Sequence, residues 1–221
     1  ESYDTTTVRA SVGNYLVAKY IAEHTENKVV FNGDYSDEVC GGYKYFKNAP
    51  NDDAFDAECR RLVHDICYFD SLRSDRTISS QGLEARVPFS DKEFVSYYLS
   101  IPSKLRNVPD KYVLRKAFEK DGLLPASVLW RQKEAFSDGV SKSDKSWHHT
   151  IQAHIDGLVS DETFEKEKTA FVHNPPILKE SFYYRTVFNK RYKAYHTSIP
   201  YFWLPKWSKG DVIDPSAREL I

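Results

Sequence analysis

"VVFNGDYSDEVCGGYKYF", running from Val29 to Phe46, decides the fold. Lys28 to Phe31 reads as a short buried strand, rich in the β-branched and aromatic residues that strands favour. Asn32-Gly33-Asp34-Tyr35 follows as a polar turn, and a helix is expected to start near Ser36. Upstream, Asp4-Thr5-Thr6-Thr7 offers several N-caps, and Val8, Val12, Tyr15, Leu16 and Ile21 recur near helical spacing. A helix of four or five turns is therefore expected to end near Glu26-Asn27. Helix, strand, loop and helix in that order is the grammar of an α/β unit.

Beyond this unit the chain is mostly helical. Asp53 to about Ser79 carries an apolar stripe, Phe55, Cys59, Leu62, Val63, Ile66 and Cys67, at spacings of three and four. Asp70 and Arg73 continue that stripe, so both are expected to point inward. Leu83 to Phe89 reads as extended, because Val87-Pro88 turns the chain out of helix. Helices are expected over Asp91–Leu99 and Asp110–Lys120, and a mixture of short helix and loop over Leu123–Gly139. Charged-faced helices and an aromatic tail, "SIPYFWLPKW", complete a mostly helical α/β chain with one or two strands.

The totals bound the function. The 221 residues suit one domain or a large piece of one, with 41% hydrophobic residues to fill a core. Thirty-one basic against 32 acidic residues give a net charge of -1, which provides no reason to expect a nucleic-acid or membrane partner. Cys40, Cys59 and Cys67 form no CxxC pair, so zinc and disulfides are not expected and a reducing cytoplasm fits. Cys59 and Cys67 read as core thiols. The chain has no methionine and starts at Glu1 without a signal peptide, so a segment of something longer is expected.

The chemistry-bearing residues cluster. A turn between strand end and helix start is where α/β proteins bind phosphates and nucleotides. Gly33 permits close approach of a ligand to the backbone, and Ser36 is positioned to cap the helix. Asp37, in the first turn beside a phosphate, makes sense with a cation between them, and Mg²⁺ is the usual one. The same acids would also suit a plain helix start through the macrodipole. Asp70 with Arg73 is a costly pair to bury for stability alone, although a structural ion pair remains the alternative. Lys133 within "WRQKEAFSDGV", Trp130 to Val140, reads as a loop cation able to close over a phosphate, and Arg9 can serve the same end. His148-His149 reads as a surface pair, and no GxSxG elbow, Walker loop or Cys/His pattern is present.

"ESYDTTTVRAS", "VVFNGDYSDEVCGGYKYF", "CYFDSLRSDRTISSQGLEARVPFSDKEF" and "LPASVLWRQKEAFSDGV" resemble successive blocks of the glutamine-hydrolysing asparagine synthetases. "YFWLPKW" and "DPSARELI" resemble the C-terminal end of some members. The resemblance implies the C-terminal part of an adenine-nucleotide alpha-hydrolase-like (PP-loop) synthetase domain with a remnant parallel sheet. It spans 1–221 and is incomplete on its N-terminal side, where the SGGxDS pyrophosphate loop and the glutaminase domain would lie. It further implies ATP and Mg²⁺, amidation of aspartate through β-aspartyl-AMP, ammonia from a glutaminase domain, and a cytoplasmic enzyme whose full-length form is a candidate homodimer.

Position by position, the resemblance assigns Asn32, Gly33 and Ser36 to the nucleotide, Asp37 to Mg²⁺, and Thr6, Thr7 and Arg9 to the pyrophosphate end. Asp34 takes the place of a glutamate linked to the intermediate and the incoming ammonia. Lys133 resembles the lysine that stabilises the transferring phosphates. Asp70 and Arg73 fall near the aspartyl pocket. Asn-Gly-Asp-Tyr replaces the usual Ser-Gly-Glu-Gly at 32–35, which shortens the acid by one methylene and places a tyrosine where glycine is usual. A β-lactam synthetase-like enzyme and a non-catalytic binding or structural fragment are the alternatives.

Overall fold

The computed structural model describes residues 1–139, 141, 146–208 and 212–216. Helix α1 (Thr5–His24) starts where the Asp4 carboxylate accepts the Thr7 N–H at 2.8 Å. It stops short of Glu26 because Thr25 is already extended, at φ -140 and ψ 161. Strand β1 (Val29–Phe31) pairs in parallel with β2 (Glu84–Arg86), Val30 opposite Ala85. These two strands form the sheet among the described residues.

Alternation along β1 sends Val30 inward against Ala18, Ile78 and Leu83. Val29 and Phe31 turn outward and are 47% and 77% exposed, so the strand is not the buried one expected. Its backbone pairs on one edge, and the described residues cover one face. Helix α1 behaves alike: Ala18 is buried, while Leu16, Val17 and Tyr20 lie exposed.

After the turn at 32–35 comes α2 (Ser36–Cys40), ended by Gly41 at φ 62. Helix α3 (Asp52–Asp65), capped by Asn51, buries Phe55, Cys59 and Leu62 in an aromatic core with Tyr45, Phe46, Phe69 and Trp203. The helical pattern reaches Ser79 as expected but is not continuous. A 3₁₀ turn at Ile66–Tyr68 and Phe69, at φ -125 and ψ -97, break it before α4 (Asp70–Ser79) begins. Tightening to three residues per turn rephases the stripe, and this puts Cys67 on the surface while Cys59 stays buried.

Helix α5 (Lys92–Ser100) lies where a helix over Asp91–Leu99 is expected, with Asp91 as its cap, and β2 ends before a 3₁₀ turn at Pro88–Ser90. Short α6 (Ser103–Arg106), α7 (Tyr112–Glu119) and α8 (Ala126–Leu129) follow. The stretch expected as a loop ends in α9 (Phe136–Gly139), and Val140 lies outside the described residues. Helices α10 (Trp147–Asp156), α11 (Asp161–Glu167) and α12 (Lys179–Tyr192) enclose Ile155, Phe164 and Phe182. No helix among the described residues is long and apolar enough to cross a membrane.

The tail returns to the beginning of the chain. The Tyr3 hydroxyl donates to the His196 carbonyl at 2.7 Å, and the Trp203 N–H donates to Asp4 Oδ1 at 2.7 Å. Helix α1 and the tail thereby form one wall of the cavity described next.

Candidate active site

A cavity of about 210 Å³ opens where α1, the turn at 32–35, α2, α4 and the segment before α9 converge. Gly33, Asp34, Asp37, Asp70, Arg73 and Lys133 line it, together with Thr6, Arg9, Trp147, His148 and Trp203. An apolar cavity of about 320 Å³ adjoins it, sharing Gly33, Asp34, Arg73 and Phe136 and including Asn32.

The turn is built under strain. Tyr35, the N-cap of α2, sits at φ 71, a left-handed conformation that costs a non-glycine residue about 1–2 kcal/mol. Ser36 does not cap the helix as expected. It is the first helical residue, and its hydroxyl donates to the Gly33 carbonyl at 2.8 Å. The turn therefore closes on itself and presents Asp34 toward Arg73 and Ser74 of the helix beginning at Asp70, and Asp37 toward Lys111 and Lys133.

Asp70 and Arg73 meet although the helix expected to carry them is broken. Both lie in the first turn of α4, with Arg73 Nη1 2.5 Å from Asp70 Oδ1 and Arg73 Nη2 3.2 Å from Asp34 Oδ1. Ser74 also donates to Asp34 Oδ2. Burial raises the Asp34 pKa, and the Arg73 charge only partly offsets it. The Arg73 charge is held more firmly than usual, because Asp70 and Asp34 outweigh the burial that opposes it.

Asp37 sits between two ammonium groups. Lys133 Nζ lies 3.2 Å from Oδ2, and Lys111 Nζ lies 2.8 Å from Oδ1. Burial pushes the Asp37 carboxyl up, but Lys133 and Lys111 together hold it below the usual range. Glu38, buried beside it, is pushed up to about 8 by burial and by the charges of Asp70 and Asp37, and its carboxyl accepts a hydrogen bond from Tyr43. Burial thus favours the neutral form of Glu38 beside the neighbouring carboxylates.

Several polar atoms here lack a hydrogen-bond partner. Thr6 Oγ1, Arg73 Nε, Asp37 Oδ1 and Asn32 Nδ2 are buried and unsatisfied, an unusual density for a folded protein. Asp37 Oδ1 has its ion pair with Lys111 without the angles of a hydrogen bond.

Two expected phosphate ligands are otherwise engaged. The Arg9 guanidinium bonds Glu180 from Nε at 2.7 Å and Asp214 from Nη1 and Nη2 at 2.8 Å each. A further bond from Nη2 reaches Glu180 Oε2 at 2.5 Å. Four of the five guanidinium hydrogens are thus directed at carboxylates, so Arg9 clamps α12 and the tail to α1 and its expected direct contact with phosphate is revised. The Thr7 hydroxyl donates to Asp4 at 2.8 Å, and Thr7 does not line the cavity.

The asparagine synthase family model matches residues 1–52 and 47–203. The chain is 48% identical to the chicken (Gallus gallus) glutamine-hydrolysing asparagine synthetase over 223 aligned residues, covering 100% of this chain and 39% of that protein. The Chinese hamster (Cricetulus griseus) and human synthetases are 45% and 44% identical over the same spans. The chain belongs to the asparagine synthase family. It spans about two fifths of the length of these relatives, 39% in each case.

Within this chain the structure gathers Thr6, Gly33, Asp34, Asp37, Asp70, Arg73 and Lys133 around one cavity. Asn32 is placed next door, Ser36 behind the turn, and Thr7 outside. Lys111 was missed: in "DKYVLRK" it is one lysine before a helix, with no local pattern to single it out. His148, read as a surface residue, is 4% exposed and lines the cavity, with Nδ1 3.0 Å from Ser146 Oγ. Helix α10 packs on α12 and is tied to α1 by Trp147, which donates to the Arg9 carbonyl at 3.2 Å.

Proposed function

We propose that this chain supplies part of the synthetase site of an ATP-dependent enzyme that amidates aspartate to asparagine. The observation that carries this reading is the meeting of Asp34, Asp37, Asp70, Arg73 and Lys133 at one cavity with unpaired buried polar atoms. A site that joins two anions, aspartate and ATP, must neutralise both and then stabilise the departing pyrophosphate. In the proposed reaction the aspartate β-carboxylate attacks the α-phosphorus and pyrophosphate leaves. Ammonia then attacks the β-carbonyl of β-aspartyl-AMP and AMP leaves.

Arg73 and Asp70 hold the amino-acid end, where Arg73 pairs with a carboxylate and Asp70 with an ammonium. Lys133, free to leave Asp37, neutralises charge on the leaving pyrophosphate. Asp34 faces the β-carboxyl and accepts the proton released by incoming ammonia, a task its burial-raised pKa favours. Gly33 and Asn32 let the nucleotide approach the strand end.

The donor set suits Mg²⁺ as part of a shared site. No group of three metal-ligating side chains occurs among the described residues, but Mg²⁺ is commonly held by one or two carboxylates together with substrate phosphates. Asp37, which lines the cavity and meets Lys133 through Oδ2, is the residue that would hold it. When bound, the metal would neutralise the phosphate oxygens.

The proposal includes a PP-loop synthetase domain completed by further chain, with the pyrophosphate loop and an ammonia-supplying glutaminase domain outside 1–221. The uncovered apolar positions Leu16, Val17, Tyr20 and Phe31 support further packing on α1 and β1. A cytoplasmic homodimer remains part of the same proposal.

The test is pyrophosphate release by a complete synthetase carrying this chain as its C-terminal portion. Release that depends on aspartate, with asparagine formed on adding ammonium, is the expected outcome. Release with a different carboxylate and none with aspartate would overturn the substrate assignment.

A further inference from the structure

We infer that Lys111 is a positioning residue, which fixes the Asp37 carboxylate through Oδ1 so that Lys133 can exchange between Asp37 and a ligand's phosphates. The inference deepens the proposed function and rests on its assignment of Asp37 and Lys133.

The two lysines on Asp37 are not equivalent. Lys133 lines the cavity and reaches Oδ2 at 3.2 Å. Lys111 does not line it and reaches the other carboxylate oxygen, Oδ1, at 2.8 Å, while also donating to Ser36 Oγ at 3.2 Å. A cation at the cavity wall and a cation outside that wall thus share one carboxylate. If Lys133 leaves to follow a phosphate, Asp37 would be a buried, unpaired charge unless a second cation stayed. Lys111 is that second cation.

The backbone is arranged to deliver it. Asp110 and Lys111 sit consecutively at φ 62 and φ 60, left-handed conformations in two non-glycine residues. Just beyond them, α7 packs Val113 and Leu114 against the cluster of Val39 and Cys40 in α2. The Lys111 stem then crosses Gly42. A Cβ built on Gly42 would lie 2.1 Å from Asp37 Oδ1 and 3.0 Å from Lys111 Cγ and Cδ. Glycine at 42 leaves the space in which carboxylate and ammonium meet.

The experiment uses a complete synthetase carrying this chain, with Lys111→Met, Lys111→Arg, Asp37→Asn, Gly42→Ala and the Lys111→Met/Asp37→Asn double variant. The first readout is thermal stability without nucleotide or metal. Coupled partners give non-additive shifts, so the double variant should lose less in Tm than the two single losses combined. The second readout is aspartate-dependent pyrophosphate release. Lys111→Met should lower kcat roughly tenfold, the usual scale for an outer-shell partner, with KM for aspartate within about twofold. Lys111→Arg should restore much of kcat. Gly42→Ala, which displaces the carboxylate while Lys111 remains, should show the same kcat loss and keeps the test open if Lys111→Met folds poorly.

Additive Tm shifts, or wild-type kcat in a folded Lys111→Met enzyme, would overturn the positioning role. If the unmutated enzyme released no pyrophosphate with aspartate, the functional assignment would fail, and the stability cycle alone would decide whether Lys111 holds Asp37.

Discussion

Replacing Asp4 with asparagine should change the way stability depends on pH. The Asp4 side chain is fully buried and accepts hydrogen bonds from Thr7 N and Thr7 Oγ1 at 2.8 Å each and from Trp203 N at 2.7 Å. Burial pushes its pKa from 3.8 to about 6, against the pull of those donors. In the unfolded chain the proton leaves near 3.8, so between that value and about 6 the folded state holds the extra proton. Stability from this group is therefore fully present below pH 3.8 and is lost as pH rises through about 6. The displacement corresponds to about 3 kcal/mol.

Asparagine cannot ionise, and where the neutral acid of low pH presents a hydroxyl it presents an NH₂, which cannot accept from the donors that face it. Asp4→Asn should therefore lose about 1–3 kcal/mol at low pH for the donor left unpaired. Urea denaturation of both proteins from pH 4 to 7.5 is the assay. The difference between them should move by about 3 kcal/mol in favour of the variant as pH rises. A difference independent of pH, or one that moves toward the wild type, would refute the account of Asp4 as a carboxyl destabilised by burial.

In a complete enzyme, Lys133→Ala should remove aspartate-dependent pyrophosphate release with little change in Tm; near-normal release would remove Lys133 from the chemistry. Asp37→Asn should show the same loss, partly relieved by high Mg²⁺, and activity independent of Mg²⁺ concentration would exclude the metal role. Arg9→Met leaves Glu180 and Asp214 facing each other without their cation, and should cost about 3–5 kcal/mol in denaturant unfolding. A loss below about 1 kcal/mol, the scale of an exposed pair, would show that the clamp is not a structural element. Gly41→Ala should be destabilising by about 1–3 kcal/mol, because Gly41 sits at φ 62 and a Cβ there would lie 2.4 Å from Phe55 Cε2. Wild-type stability in that variant would show that the loop repacks freely.

The parts legible in the sequence were those with local causes. The strand at Val29–Phe31, the helix that begins beside Asp91 and the turn before Ser36 follow from residue type and spacing. Asp70 and Arg73 did come to the site, but through a new helix start after Phe69 and not along the stripe used to place them. Periodicity cannot register a 3₁₀ turn that rephases a helix, and Cys67 went to the surface for the same reason. Arg9 could not be read locally, since the carboxylates that engage it lie 171 and 205 positions away. Lys111 and His148 were hidden likewise: each belongs to the site only through the packing of a later helix.

The hydrogen bond from Trp203 to Asp4 joins residues 199 positions apart, and it has a consequence for biosynthesis. A ribosome adding roughly 5–20 residues per second takes about 10–40 s to cover that separation. Throughout that interval the Asp4 carboxylate lacks its Trp203 donor, and Tyr45, Phe46 and Phe55 lack the indole that completes their core. The nascent chain must keep an aromatic surface uncovered until its closing segment emerges. A chain cut before Trp203 should therefore be a stronger client for chaperones and proteases than one shortened by the same number of residues within a surface loop.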